Sequence, residues 1–428
     1  MAKFEDVIGY EGIKKELYQI VDMFKSKEKY IKMGARLPKG VLIYGNPGMG
    51  KTLLATAFID ECKIPSFILR KNKTLAETLK EIRDTFVEAK KLETSIIFID
   101  DIDKFSDDKM SDSDSEEFVA IQTCIDSVKN GNVLVIATAN NYRKLPLSLR
   151  RTGRFDKKFE VKEPTSEESQ AIIKHYLKNK NVSDKLNYED LSKMINYYSC
   201  AALETLMNES AIIAAYANKE SIELSDITAA YLSYQGNSDE GDNSNKFSQR
   251  EIDTVALHEC GHAAIMEVLK KGSVGFIHMS TGGRNNCQGF TQSCEDKFRR
   301  PELVVASLGG KAAVELLYEG RPGSGCSSDL NKAKKLLLEG TMYNGIRGLS
   351  LVESDSDFLP FSQRYIDSVE GAVNSELERL MFVAKDIILK NKEFVLKLSE
   401  ELKTKQHLYY SDIQRIRDSV TITEVPIQ

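Results

Sequence analysis

An α/β fold built on a parallel sheet, followed by a mostly α-helical half, is predicted by three observations. Short runs of apolar residues without alternation occur at Val41–Tyr44, Ile96–Ile99 and Val133–Ala137. Strands of that kind are buried on both faces, as in a parallel sheet. The first run leads through the glycine-rich stretch Gly45–Thr52 into the helical stretch Leu53–Phe58. Far downstream, His258 and His262 stand four apart inside an apolar run from Ile252 to Leu269, a length that suits a helix and exceeds a strand.

Composition bounds the function. A chain of 428 residues has room for two to four domains. With 41% hydrophobic and 29% charged residues it reads as an ordinary soluble globular protein. The net charge of −5 gives no reason to expect nucleic acid as a partner. No apolar run approaches the ~20 residues of a membrane span, and the polar start Met1–Asp6 lacks a signal-peptide core. Seven cysteines with no Cys-x-x-Cys pair fit reduced thiols in the cytosol, not a disulfide framework.

Taken in order, Ile13, Leu17, Ile20, Val21 and Phe24 recur at helical spacing and predict a helix over 11–33. Gly45-Asn46-Pro47-Gly48-Met49-Gly50-Lys51-Thr52 is a full Gly-x-x-x-x-Gly-Lys-Thr loop between a strand and a helix that opens with Leu53. Its glycines let backbone N–H groups turn toward phosphate, Lys51 offers a cation to the β- and γ-phosphates, and the Thr52 hydroxyl offers a ligand to magnesium. Asp100 and Asp101 end the second strand and Asn140 follows the third. All three thus fall at the carboxyl ends of strands, where such a sheet binds ligands. Asp100 is the expected magnesium partner. Arg150–Asp156 is a basic segment, and from Ser166 to Tyr234 the patterns are helical. The polar stretch from Gln235 to Ser248 reads as a linker.

Ser248 and Glu251 have capping-box spacing at the start of the next helix. Within it, His258-Glu259-Cys260-Gly261-His262 puts two imidazoles one turn apart on one face, with Glu259 beside them as a general base. That pattern points to one zinc ion. Zinc needs a third protein ligand, and spacing alone does not choose among the later carboxylates. Val274–Met279 is an expected strand containing His278, read as a sheet histidine, and Thr281-Gly282-Gly283 is an expected turn. Gly289–Thr291 is an expected edge strand able to hold an extended chain by its backbone. Cys287 and Cys294 are read as plain thiols, and 364–416 as helical.

Together these motifs, in this order, resemble the FtsH-type AAA zinc proteases over Phe4 to about Ile413. The resemblance implies an AAA large subdomain at 1–164, a helical lid at 165–235, a linker at 236–248 and a zinc metalloprotease domain at 249–428. It implies one Zn2+ per subunit, ATP with Mg2+, and a homo-hexamer that degrades unfolded or tagged proteins. By that likeness Asn140 senses the γ-phosphate, and Arg151 and Arg154 reach the neighbouring subunit's nucleotide. The segment Gly325-Cys326-Ser327-Ser328-Asp329-Leu330 is similar to the one supplying an aspartate ligand, so Asp329 becomes the third zinc ligand, with Cys326 a chemical competitor. Glu315 is a possible orienter of a ligand histidine, or an ordinary solvated carboxylate.

Three departures qualify the likeness. The family has Glu where this chain has Asp101, one methylene shorter; the expectation is normal ATP binding with slow hydrolysis, against an Asp101 that recruits an extra water. The stretch Phe67–Leu75 lacks the family's aromatic–apolar–glycine pore triplet, and Phe67 and Ile68 read as the end of a buried strand. The family's N-terminal membrane helices are not seen, so the expected location is cytoplasmic, or the cytoplasmic face of a membrane. Ser106–Glu117, with six acidic residues and four serines, reads as a solvated loop. A competing function is an ATP-binding assembly or remodelling ring, or an autonomous zinc peptidase with a degenerate motor.

Overall fold

The structure, a computed structural model, describes residues 3–105, 115–128, 133–236, 248–280, 288–294, 298–318, 326–343 and 363–427. Ser106–Asp114, most of the linker, the Thr281-Gly282-Gly283 turn, Cys287 and Gly325 lie outside the described residues. The chain divides into two compact units, 1–178 with 197–205, and 179–196 with 206–428.

In the first unit the elements run α1 (Glu11–Lys25), α2 (Lys27–Lys32), β1 (Gly40–Tyr44), α3 (Lys51–Cys62), β2 (Ser66–Leu69), α4 (Leu75–Lys91), β3 (Ser95–Ile99), α5 (Glu116–Asp126), β4 (Val133–Ala139), α6 (Leu147–Arg150), β5 (Lys157–Glu160) and α7 (Ser166–Leu177). The sheet order is β2-β3-β4-β1-β5, and every pairing is parallel. Strands β3 and β4 are buried along their whole length, as their unbroken apolar runs require. Cores lie on both faces of the sheet, one containing Leu17, Phe58 and Ile43, the other Phe86, Ile97 and Phe155.

Three details differ from the expectations. The helix over 11–33 breaks at Ser26, which has ψ of 40° and turns its hydroxyl back to Asp22. Strand β2 lies at the sheet edge, so Ile68 is 54% exposed and is not part of a buried strand. Ser115 caps α5, and Glu116 and Glu117 belong to its first turn; Glu117 is buried on Lys71 at 3.1 Å and is not a solvated loop residue.

The second unit contains α8 (Tyr188–Met194), the later part of α9 (Cys200–Tyr216), α10 (Leu224–Tyr234), α11 (Gln249–Leu269), β6 (Val274–Ser280), β7 (Gln288–Ser293), α12 (Arg300–Leu317), α13 (Ser327–Tyr343), α14 (Gln363–Lys390), α15 (Lys392–Lys405), β8 (His407–Tyr409) and α16 (Tyr410–Asp418). Its sheet is antiparallel, in the order β7-β6-β8. Strand β8 interrupts a stretch whose sequence reads as continuous helix. His278 sits buried on β6, directly opposite His407 on β8.

Helix α11 is the centre of this unit. The Ser248–Glu251 capping box closes its N-terminus. It crosses α12 with almost no side chain intervening: a Cβ on Gly261 would lie 2.4 Å from the Gly309 carbonyl oxygen. Its far end is tied to the sheet by Glu267, which is fully buried. The Glu267 carboxylate accepts the backbone N–H groups of Gly272 and Val274, each at 2.9 Å, and the Gln414 amide at 3.0 Å. Burial raises its pKa, while those hydrogen bonds oppose the rise.

Candidate active site

On α11 the four-residue spacing turns both histidines toward the first turn of α13. His258 Nε2 lies 3.1 Å from His262 Nε2, and Asp329 Oδ2 lies 3.1 Å from the first and 3.4 Å from the second. Three ligand atoms at about 2.0–2.2 Å from one tetrahedral zinc would be separated by roughly 3.3–3.6 Å, so this triangle fits the ion. His262 Nδ1 donates to the Ala306 carbonyl at 2.7 Å, which leaves the Nε2 lone pair of the neutral ring directed at the triangle. Room for the two rings is made by Gly310 on α12, where a Cβ would stand 2.5 Å from His258 ring atoms and 2.6 Å from His262 Nε2.

The charges suit this arrangement. Burial pushes the Asp329 carboxyl up, but the adjoining His258 and His262 rings outweigh it and hold the group well below the ordinary carboxylate range. Glu259 is 6% exposed, and burial raises its pKa above that of a free glutamate. Its side chain meets β7, where the Thr291 hydroxyl lies 3.0 Å from Glu259 Oε2. Cys326 is not among the side chains that converge on this point. Glu315 pairs with Lys311 and, at 2.8 Å, with Lys385, so the orienting of His262 falls to the Ala306 carbonyl.

In the first unit, Gly45 to Gly50 form the loop after β1 and α3 starts at Lys51. Gly48 and Gly50 have φ of 78° and 80°, which L side chains rarely adopt. Asn46 and Pro47 are exposed and Met49 is buried. Lys51 is 5% exposed and donates to the Asn46 carbonyl at 2.6 Å. Burial lowers the pKa of its ammonium group, opposed by Asp101, Asp103 and Asp100.

The strand-end carboxylates are heavily engaged. Asp100 Oδ1 accepts from Thr52 Oγ1 at 3.1 Å and from Thr138 Oγ1 at 2.8 Å, while Oδ2 accepts from Arg70 Nε at 3.2 Å. Asp101 has φ of 54°, a left-handed conformation that Asp tolerates better than most residues. Its oxygens accept from Asn140 Nδ2 at 3.0 Å and Lys104 Nζ at 2.7 Å. Asp103 in turn accepts the backbone N–H groups of Asn140 and Asn141, each at 3.0 Å.

The two arginines expected to act alike are placed differently. Arg151 is exposed. Arg154 is 4% exposed and forks onto its own chain's Asp126, with Nε and Nη2 at 2.9 and 2.6 Å, and it also donates to the Ser148 carbonyl. In this structure its Nε, Nη1 and Nη2 groups each donate within its own subunit.

Beside the loop lies a cavity of about 340 Å³ lined by Tyr10, Gly48, Leu53, His175, Cys200 and Glu204, among others. Of these, sequence reasoning found Gly48 and Leu53 and missed the rest. The missed residues come from distant segments with no shared local pattern. Arg70 and Thr291 were missed for the same reason. Gly309-Gly310 did carry a signal, since paired glycines inside an apolar helix cost stability and mark close packing.

Two families match different parts of the chain. Residues 41–163 match the ATPase family associated with various cellular activities (AAA), and residues 245–416 match peptidase family M41. ATP-dependent zinc metalloprotease FtsH of Mycoplasmoides gallisepticum is 31% identical over 100% of this chain and 59% of its own. FtsH 2 of Phytoplasma mali is 30% identical over 96% of this chain and 62% of its own. The chain is similar to the FtsH-type AAA metalloproteases along nearly its whole length. FtsH of Bacillus subtilis is 29% identical over 99% of this chain and 71% of its own. The chain spans about three-fifths of the length of the first curated FtsH-type relatives it matches. Among the described residues, no helix is long and apolar enough to cross a membrane.

Proposed function

We propose that this chain is an ATP-dependent zinc endopeptidase, working as a homo-hexamer on unfolded or tagged proteins at or near the cytoplasm. The observation that carries the reading is the convergence of His258, His262 and Asp329 beside Glu259 and an edge strand. In this reading residues 1–164 and 165–235 are the ATPase and its lid, 236–248 a linker and 249–428 the protease.

His258, His262 and Asp329 hold the zinc. When bound, zinc supplies a lowered pKa for water and a Lewis acid for the carbonyl. Glu259 takes a proton from the attacking water and returns it to the leaving amine. Strand β7 offers backbone groups along which an extended substrate is held. In the nucleotide half, Gly45–Gly50 and Lys51 cradle the phosphates, Thr52 and Asp100 hold magnesium, and Asn140 senses the γ-phosphate. Of the two arginines, exposed Arg151 is the one we carry forward as a reach toward a neighbouring nucleotide. Asp101 replaces a longer glutamate, and we assign it slow hydrolysis, because a retraction of about 1 Å is enough to cost around a hundredfold in rate.

The test is degradation of an unfolded protein by the zinc-loaded chain, with and without ATP, beside Glu259→Gln. Cleavage that requires ATP, and a variant that keeps zinc but loses cleavage, are expected. Persistent cleavage by the variant would sink the assignment of Glu259. A second reading, a peptidase with a degenerate motor or an ATP-binding ring that remodels without cutting, draws support from Asp100 and Asp101 each being held by a cation of their own chain. Cleavage indifferent to ATP would favour the first of these, and no cleavage at all the second.

A further inference from the structure

Strand β7 touches the general base through two residues on one face. Gly289 and Thr291 are two apart, so both point the same way while Phe290 points to the other side, against the His278 ring at 5.5 Å. A Cβ on Gly289 would lie 2.6 Å from Glu259 Cγ, so the strand lies directly on the Glu259 side chain. The Thr291 hydroxyl then reaches two oxygens of the same residue, Oε2 of the carboxylate and the backbone carbonyl, each at 3.0 Å.

We propose that Thr291 is the positioning residue for Glu259, holding its carboxyl group in place through the whole reaction. This rests on the peptidase reading above. A hydroxyl has one proton to donate and lone pairs to accept with. Facing ionised Glu259, it donates to Oε2. Once Glu259 has taken the proton of water, the carboxyl can donate that proton to Thr291 Oγ1, while the hydroxyl turns its own proton to the Glu259 carbonyl. The transferred proton stays on Glu259 until the amine takes it, and Thr291 gains and loses none. A protonated carboxyl keeps one acceptor oxygen and gains one donor, and the Thr291 hydroxyl can pair with either. Gly289 lies against the stem of the glutamate, and among the described residues Thr291 is the side chain hydrogen-bonded to its carboxylate.

The experiment compares Thr291→Val, which keeps the shape without the hydroxyl, with Thr291→Ser, which keeps the hydroxyl. Each is assayed for zinc content, for kcat and KM on an unfolded protein, and for binding of a short peptide hydroxamate, whose acidic proton needs an aligned Glu259. The expected result for Thr291→Val is a fall in kcat of about ten- to a hundredfold, with KM and zinc content unchanged and hydroxamate affinity reduced about tenfold. Thr291→Ser is expected to recover kcat and hydroxamate affinity to within about threefold of the native chain. If Thr291→Val cleaves and binds hydroxamate like the native protein, or if it simply loses zinc, the positioning role is overturned while the peptidase reading stands. Should the native chain itself bind zinc and fail to cleave, the peptidase reading fails, and the hydroxamate comparison alone decides the role of Thr291.

Discussion

The metal corner and the nucleotide corner are both built where a short motif meets a tertiary neighbour, yet they are prepared differently. At the metal corner the three ligand atoms already lie within 3.4 Å of one another, and a backbone carbonyl fixes the tautomer of His262. At the nucleotide corner the polar groups are engaged with one another: Lys51 with Asn46, Asp100 with Arg70, Asp101 with Lys104 and Asn140. The first site needs only its ion. On the proposed reading, the second must exchange partners before Lys51, Asp100 and Asp101 can serve a nucleotide, and each exchange costs part of the binding energy.

The sharpest way to break this contrast is to fill the space that preorganises the metal corner. Gly310→Ala places a methyl group against both ligand rings, and zinc affinity is expected to fall by about a hundredfold, the upper end for disturbed ligand surroundings; metal titration against a chelator reads it. At the other corner, Asp101→Glu is expected to raise ATP turnover by tens of fold, and unchanged turnover in a steady-state assay would count against slow hydrolysis by the native chain. Next in size is stability. Arg154→Met removes a charged fork from a buried position and should cost about 2 kcal/mol in denaturant unfolding, whereas Arg151→Met should leave stability unchanged and lower ATP turnover in the assembled protein. The Arg154 pair also predicts a pH dependence. The Arg154 hydrogen bonds hold Asp126 below its unfolded pKa, so the stabilisation is present above about pH 4 and fades as pH falls through the lower folded value; Asp126→Asn should remove that acid limb. The smallest effect is expected of Arg70→Gln, which frees Asp100 and should tighten Mg-ATP binding about threefold in a fluorescence titration.

The same contrast explains what was legible in the sequence. Chemistry on one helix or one loop was readable: His258, Glu259 and His262 share a helix face, and Gly45–Thr52 is one contiguous loop. The sheet was readable because Ile96–Ile99 and Val133–Ala137 have no alternation to mistake. Asp329 lies 71 residues from His258 and required a family likeness. Gly310, Thr291, Arg70 and the cavity around His175 and Cys200 become visible only when separate elements meet. The short strand β8 was hidden because three residues between two helices are too few to show a period. The burial of Arg154 was not legible because a basic segment reads as surface, and nothing local announces that Asp126 will draw the guanidinium inward.

Glu267 has a consequence for anyone mapping this protein by mutation. It stands eight residues beyond Glu259, about 12 Å along the same helix, and fastens that helix to the start of the strand that pairs with β7. Substitutions there would let the base and its supporting strand drift apart, and in an activity screen position 267 would score like a member of the chemical apparatus. Only a comparison of folding with turnover would reveal it as a mooring, remote from any peptide bond that is cut.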